Sequence, residues 1–316
     1  MTLHRVFIVG HEGTTGLRIH ERLSDRKDIE LLATADEDRK NVEAIKVVAK
    51  KADLVFLCLP DVASKEIMAA IGDFPCKVID TSTAFRTTAG WAYGFPELGE
   101  SYKTDIATKK HIANPGCHAS GMIACIAPLV KAGLVPADYP FTIISLTGYS
   151  GGGKKMIGQY ESNPKDYFLY APRQYGLGQE HKHLPEVQHV CGISEAPIFM
   201  PIVDDYYSGM EVTVGIHSRL CHKPVCIDKV QQVLEDFYKH SAIITVAPFT
   251  ENSNTSMLNA NQLSNTDSMK IYVTGNDERI MVHAIFDNLG KGASGAAVQC
   301  MNIALGLPEE TGLVLG

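Results

Sequence analysis

Along the first third of the chain, short apolar runs alternate with segments whose apolar residues recur at helical spacing. Val6–Val9 is an apolar run that ends at Gly10, and Thr15–Leu23 places Leu17, Ile19 and Leu23 at helical spacing. Ile29–Ala33 reads as a second strand and Glu43–Lys51 as a helix. The nearly unbroken run from Asp53 to Leu59, stopped by Pro60, has the pattern of a strand buried on both faces. Val62–Ile71 is helical again and Lys77–Asp80 is the next strand. This rhythm predicts an α/β unit: a doubly wound parallel sheet with helices on both faces.

The middle of the chain has a different pattern. β-type runs recur at Phe141–Tyr149, Ala196–Val203 and Gly209–His217, with Gly/Pro/Tyr-rich loops between them. Ile227–Tyr238 reads as an amphipathic helix. Ile243–Pro248, Lys270–Thr274 and Ile280–Phe286 complete a mixed or antiparallel sheet, so this region is expected to be α+β. Gly292–Leu305 is Ala-rich and helical, with Val298, Met301 and Leu305 on one face. The expected division is a nucleotide-type domain over 1–116 and a second domain over 117–286, with the helical tail 292–316 packing back on the first.

Composition narrows the classes. A length of 316 residues fits two domains, and 45% hydrophobic against 21% charged residues excludes a disordered chain. The net charge of −7 argues against a nucleic-acid binder but leaves room for a local basic pocket. The apolar run after His4-Arg5 is too short for a secretory core, and Gly121–Val130 is only helix-sized and contains a proline. A cytoplasmic protein without membrane contact is expected. The eight cysteines are scattered, with no CxxC pair, and should be thiols. Cys221 and Cys226 lack a second ligand pair, so no metal site is expected.

Two stretches carry chemistry. Gly10-His-Glu-Gly13-Thr14-Thr15-Gly16 follows the first strand and opens the first helix. Glycines allow a tight turn and let backbone N–H groups approach a pyrophosphate at a helix N-terminus. The residues after the second strand, Asp36-Glu-Asp-Arg39-Lys40, include both acidic and basic types and do not decide between NAD and NADP. In Asn114-Pro-Gly-Cys117-His-Ala-Ser120, Pro and Gly make a sharp turn into an apolar helix marked by Met122, Ile123, Ile126, Leu129 and Val130, with Gly133 as its stop. Cys117 then begins a helix, where the dipole and unbonded N–H groups favour a thiolate and could hold an oxyanion. A proton shuttle is offered by Gln179-Glu-His181-Lys-His183-Leu-Pro-Glu186; in an extended segment both histidines would point the same way. Asp80–Arg86 brings a cation after a strand, with a surface ion pair as the alternative. Ser150–Lys154 is a Gly loop, and Asn288–Gly295 a polar Gly-rich lead into the last helix.

In order, these segments resemble N-acetyl-gamma-glutamyl-phosphate reductase, an arginine-biosynthesis enzyme related to the aspartate-semialdehyde dehydrogenases. Tyr93-Gly-Phe-Pro-Glu97, Tyr149–Lys154, Tyr175–Glu186 and Ile285–Leu305 extend the likeness over nearly the whole chain, whose length is that of the shorter form. Where the longer form has a Pro-His-Leu segment ending in Arg-Gly, this chain has Phe199–Met210 with neither His nor Arg. The resemblance implies a Rossmann-type first domain, a catalytic and oligomerising second domain, and a homo-oligomer, either dimer or tetramer. It implies Cys117 as nucleophile and His181 as general acid/base. NADP would be held by Gly10, Gly13, Thr14, Thr15, Gly16, Ser82, Ser150, Gly151 and Asn288. The acyl-phosphate substrate would be held by Arg86, Asn114, Tyr175 and His183. A thioester on Cys117 would be reduced to the semialdehyde. Two other readings stay open: a reductase of aspartyl or acetylaminoadipyl phosphate, and a dinucleotide-sensing protein without turnover.

Overall fold

The computed structural model describes residues 3–254 and 256–316. The chain divides into two compact units. One runs to Gly116 and takes back Ala293–Leu313; the other comprises Cys117–Gly292 and Val314–Gly316.

The first unit is built on six strands: β1 (His4–Val9), β2 (Ile29–Leu32), β3 (Leu54–Leu57), β4 (Lys77–Asp80), β5 (Ala92–Tyr93) and β6 (His111–Ala113). Their order is β2-β1-β3-β4-β6-β5, and every pair is parallel. Parallel strands need crossovers, supplied among others by α1 (Thr14–Ser24), α2 (Val42–Ala49), α3 (Asp61–Ile71) and α4 (Glu100–Thr108). Strand alternation sorts the side chains into two cores. Val6, Ile8, Leu54, Phe56 and Ile79 pack with Ile19 and Leu23 of α1, Ile106 of α4, and Ala297, Val298 and Met301 of the C-terminal helix Gly295–Ala304. Phe7, Val9, Val55, Leu57 and Val78 pack with Ile45 of α2 and Ile67 and Ile71 of α3. Both faces are covered, which is why these strands read as unbroken apolar runs.

Two details correct the periodicity reading. Leu17 is 45% exposed, and the buried positions of α1 are Gly16, Ile19 and Leu23. The C-terminal helix is buried on all sides, not along one face, and it follows a wide turn at Gly290–Ser294. Helix α4 has no counterpart in the sequence reading, because Ile106 is its one buried residue and leaves no stripe.

The second unit starts with α5 (Cys117–Lys131) and contains a seven-stranded mixed sheet. Its strands are β7 (Thr142–Gly148), β8 (Arg173–Gln174), β9 (Ile198–Asp204), β10 (Met210–His217), β11 (Ile244–Val246), β12 (Met269–Gly275) and β13 (Arg279–Phe286). The order is β11-β12-β13-β10-β7-β9-β8, with β7–β9 and β11–β12 parallel and the remaining pairs antiparallel. The other helices are α6 (Gly153–Tyr160), α7 (Leu184–Cys191), α8 (Ile227–Tyr238) and α9 (Phe249–Asn254). The loop at Ser150–Lys154 is therefore helical, a 3-10 turn running into α6.

Helix α5 is the core of this unit and packs on β10, β13, α7 and α8. Every residue from His118 to Leu129 is buried, so the apolar positions marked in the sequence are not one face of the helix but part of a fully enclosed one. Gly121 permits this: a Cβ there would lie 2.5 Å from Val212 Cγ2. The helix ends where expected, with Gly133 at φ +65° and the Leu134 N–H bonded to Leu129 O. Among the described residues, no helix is long and apolar enough to cross a membrane.

Candidate active site

The glycine turn closes down to backbone contact. Gly10 takes φ +84°, and a Cβ there would lie 2.5 Å from Cys58 O; one at Gly16 would lie 2.3 Å from Gly10 O. Gly13 caps α1 without a side-chain bond, so the N–H groups at Thr14, Thr15 and Gly16 keep their pull on an anion. A pocket beside the turn is lined by Gly10, His11, Glu12, Thr34, Arg39, Lys40 and Leu59. Arg39 is paired with Glu12, while Asp36 lies exposed in a short 3-10 turn and outside the lining. This cradle, which a Cβ would fill, and the cations beside it fit a dinucleotide.

Three further residues in the first unit are held by their own surroundings. Ser82 donates to Asp80 Oδ2 at 2.6 Å and accepts the Ala84 N–H at 3.1 Å. Asp80 is fully buried; burial pushes its carboxyl up, against hydrogen bonds from Ser64 and Ser82. Arg86 is 8% exposed, not a surface ion pair; its Nε donates to Asn114 O at 2.9 Å and Nη2 to Thr81 O. Asn114 Nδ2 donates to Ala293 O at 3.1 Å, and its buried Oδ1 has no hydrogen-bond partner among the described residues.

The second unit gathers Cys117, Tyr175, His181 and His183 around His118. Cys117 is half-buried at the first position of α5. Burial pushes the Cys58 thiol up to about 12 and raises those of Cys125 and Cys191 as well. Gly292 lets the Gly290–Ser294 turn approach: a Cβ there would be 3.1 Å from Cys117 Cβ. The His181–Lys182–His183 segment is not extended. It turns into α7, with His183 at the cap and Pro185 in the first turn. The rings of His181 and His183 still meet, 4.7 Å apart and nearly perpendicular. The His183 N–H donates to His181 Nδ1 at 3.2 Å. A neutral His181 therefore carries its proton on Nε2.

The loop bearing these histidines is pinned to β9. Gln179, at φ +57°, donates to Phe199 O at 2.8 Å and accepts its N–H at 2.9 Å, and the Tyr175 N–H bonds Pro201 O. The Phe199 ring packs edge-on against His118 and His181 at 5.2 and 5.1 Å. Sequence reasoning assigned His118 no role. It is 3% exposed, with Nδ1 2.8 Å from Ser145 Oγ and Nε2 2.6 Å from Tyr175 Oη. Burial, with a smaller push from His181, drives its pKa down to about 3. Its adjacency to Cys117 was the one signal available. Ser145 and Phe199 reach the site through the sheet and had none.

Ser150, Gly151 and Asn288 also come together in this unit. Asn288 Nδ2 donates to Ser150 Oγ at 3.0 Å and Oδ1 accepts the Gly209 N–H at 2.9 Å. A Cβ at Gly151 would be 3.4 Å from Asn288 Nδ2. No cluster of three or more His, Cys, Asp or Glu suited to a metal occurs among the described residues.

Residues 5–105 match the family described as semialdehyde dehydrogenase, NAD binding domain, and residues 117–288 match semialdehyde dehydrogenase, dimerisation domain. Among solved structures, aspartate semialdehyde dehydrogenase II from Vibrio cholerae aligns with a TM-score of 0.74 at 18% identity, covering 96% of this chain and 99% of that one. The aspartate semialdehyde dehydrogenase of Candida albicans, solved with NADP, aligns with a TM-score of 0.66 at 16% identity, covering 96% and 98%. Fold and modules thus define a semialdehyde-dehydrogenase-type enzyme with a nicotinamide-dinucleotide domain. N-acetyl-gamma-glutamyl-phosphate reductase 2 of Nostoc sp. is 38% identical over 99% of this chain and 100% of its own length. Reductase 2 of Pseudomonas putida is 41% identical over 97% and 98%, and the Chelativorans sp. reductase 42% over 95% and 98%. The chain belongs to the N-acetyl-gamma-glutamyl-phosphate reductase family.

Proposed function

We propose that the protein reduces N-acetyl-L-glutamyl 5-phosphate with NADPH, giving N-acetyl-L-glutamate 5-semialdehyde and phosphate. The carrying observation is Cys117 at the start of the enclosed helix α5, next to His118, whose ring meets Tyr175, His181 and His183. The first-turn N–H groups of α5 favour negative charge on the sulfur and on an attacked carbonyl oxygen. The thiolate attacks the acyl carbon; a C–S bond forms, the C–O bond to phosphate breaks, and a thioester remains. When bound, the dinucleotide supplies a hydride to that carbon. His181 protonates the developing alkoxide from Nε2, then takes the proton back as the C–S bond breaks and the aldehyde leaves. The covalent link keeps the acyl group in place between the two steps. On this reading Arg86, Asn114, Tyr175 and His183 shape the substrate pocket, and Ser82, Ser150, Gly151 and Asn288 contact the dinucleotide with the glycine turn.

NADP over NAD is supported by Arg39 and Lys40 in the pocket beside that turn, with Asp36 outside it. A homodimer is supported by the match to the dimerisation domain and by one face of the second sheet, where Ile144, Ile198 and Met281 are 43%, 59% and 41% exposed. A cytoplasmic setting is supported by the eight cysteines, none of which forms a disulfide.

Aspartyl and acetylaminoadipyl phosphate are not favoured. The relatives at 38–42% identity bear the glutamyl-phosphate name, whereas the aspartate-semialdehyde structures share 14–18% identity. The test follows NADPH formation from N-acetylglutamate semialdehyde, phosphate and NADP, with aspartate semialdehyde in parallel. Turnover of the aspartyl compound alone overturns the assignment.

A further inference from the structure

His118 sits beside the reactive sulfur, yet the mechanism above gives it no task. It is buried, and each ring nitrogen meets one hydroxyl: Ser145 Oγ at 2.8 Å on Nδ1 and Tyr175 Oη at 2.6 Å on Nε2. A neutral imidazole has one N–H and one lone pair, so the chain Ser145–His118–Tyr175 can run in only two directions. In one, Tyr175 donates to Nε2 and Nδ1–H donates to Ser145. The serine hydroxyl proton is then left without an acceptor, because Ser145 is 0% exposed and makes no other side-chain hydrogen bond among the described residues. A buried donor left unbonded pays the full desolvation of its hydroxyl. In the other direction Ser145 donates to Nδ1, Nε2–H donates to Tyr175, and every buried proton on the chain is bonded. Tyr175 is half-buried and can send its own O–H elsewhere.

We infer that His118 is a positioning residue: by accepting from Ser145 and donating to Tyr175 Oη, it turns the phenolic O–H of Tyr175 toward Cys117, as a hydrogen-bond donor to the sulfur and to the acyl oxygen that the sulfur comes to carry. This deepens the proposed function and rests on its assignment of Cys117. Two features agree with it. Burial keeps the His118 ring neutral, with its pKa driven down to about 3, so the relay does not switch direction by protonation near neutral pH. Burial also raises the Tyr175 phenol, so the tyrosine keeps its proton, and its ring centroid lies 6.1 Å from that of His118, the residue next to Cys117. The titratable groups around the relay are Cys117 on α5 and His181 and His183 ahead of α7. β7 and β9 contribute Ser145 and Phe199, neither charged.

The test reads the thiol of the full-length protein without substrate. Cys226 is exposed at the cap of α8 and would also be alkylated, so the background is Cys226→Ser, with the Cys117 peptide followed by mass spectrometry. The pH midpoint for iodoacetamide alkylation of Cys117 should rise by about one unit in Tyr175→Phe and in Ser145→Ala, the loss of one charge-assisted hydrogen bond. The double variant should rise no further, and Ser145→Thr should restore the parent midpoint. A midpoint unmoved by Ser145→Ala, or two shifts that add, overturns the inference. A second measurement needs no variant: long-range 15N–1H correlations of His118 should show the proton on Nε2, and a proton on Nδ1 overturns it. Neither readout depends on the acyl chain. Cys117→Ser that kept reductase turnover would instead overturn the proposed function and leave the His118 tautomer as measured.

Discussion

At the scale of single residues, the proposed mechanism separates side chains that react from those that hold. Cys117→Ser should abolish reductase turnover and leave NADPH binding, read by fluorescence titration, nearly intact. His181→Ala should lower kcat by about 10²- to 10⁴-fold and flatten the pH–rate profile. His183→Ala should do less, because the bond it gives His181 Nδ1 comes from the backbone N–H and survives the substitution. Arg39→Ala should raise KM for NADPH more than for NADH, since a cation beside the turn matters only to a ribose phosphate. His118 also sets an acid limit. Its ordinary value of 6.5 falls to about 3 in the folded chain. Below pH 6.5 the unfolded chain binds a proton that the folded one refuses. Its contribution to stability is therefore fully present above that value and is lost as pH falls toward 3, by up to about 1.4 kcal/mol per unit. Urea unfolding at about pH 7 and about pH 5 should show a shallower acid loss for His118→Gln than for the parent.

At the scale of elements, what was legible depended on who covers each face. β1, β3 and β4 were readable because helices cover both sides, so their apolar runs stand out. α4 was not, having one buried residue, and α7 was hidden because its first turn carries Pro185 after a polar, His-rich stretch that reads equally as extended. The glycine turn was readable because its tightness is written in the residue type. Gly16→Ala should therefore raise KM for NADPH by at least about tenfold with kcat for bound cofactor little changed, since a methyl 2.3 Å from Gly10 O must displace the turn. Steady-state kinetics at saturating acyl substrate checks this. A parent-like KM would mean that the turn does not grip the dinucleotide.

At the scale of the whole molecule, each unit has its own sheet and its own way of covering it. The parallel sheet is closed by the C-terminal helix, whose Ala297, Val298, Cys300 and Met301 complete a core begun by Val6 and Ile8. The mixed sheet is covered on one face by α5 and its neighbours, while Ile144, Ile198 and Met281 stay exposed. Burying that face against a second copy removes apolar area from water, the driving force of stable interfaces. If the proposed homodimer forms through this face, Ile198→Asp should shift sedimentation toward monomer at micromolar protein. An unchanged dimer would place the contact elsewhere.

The sequence by itself determined the parallel α/β frame, the glycine turn and the helix beginning at Cys117, because each depends on local residue type and short-range periodicity. It also held the family likeness, carried by motifs that need no coordinates. Tertiary structure alone decided that His118 faces Ser145, Tyr175 and His181, that Gln179 pins the histidine loop to β9, and that Arg86 grips backbone carbonyls. Those contacts join residues 20 to 63 positions apart, several of them on irregular loops. Their partners are chosen by sheet register and packing, and no spacing along the chain encodes them.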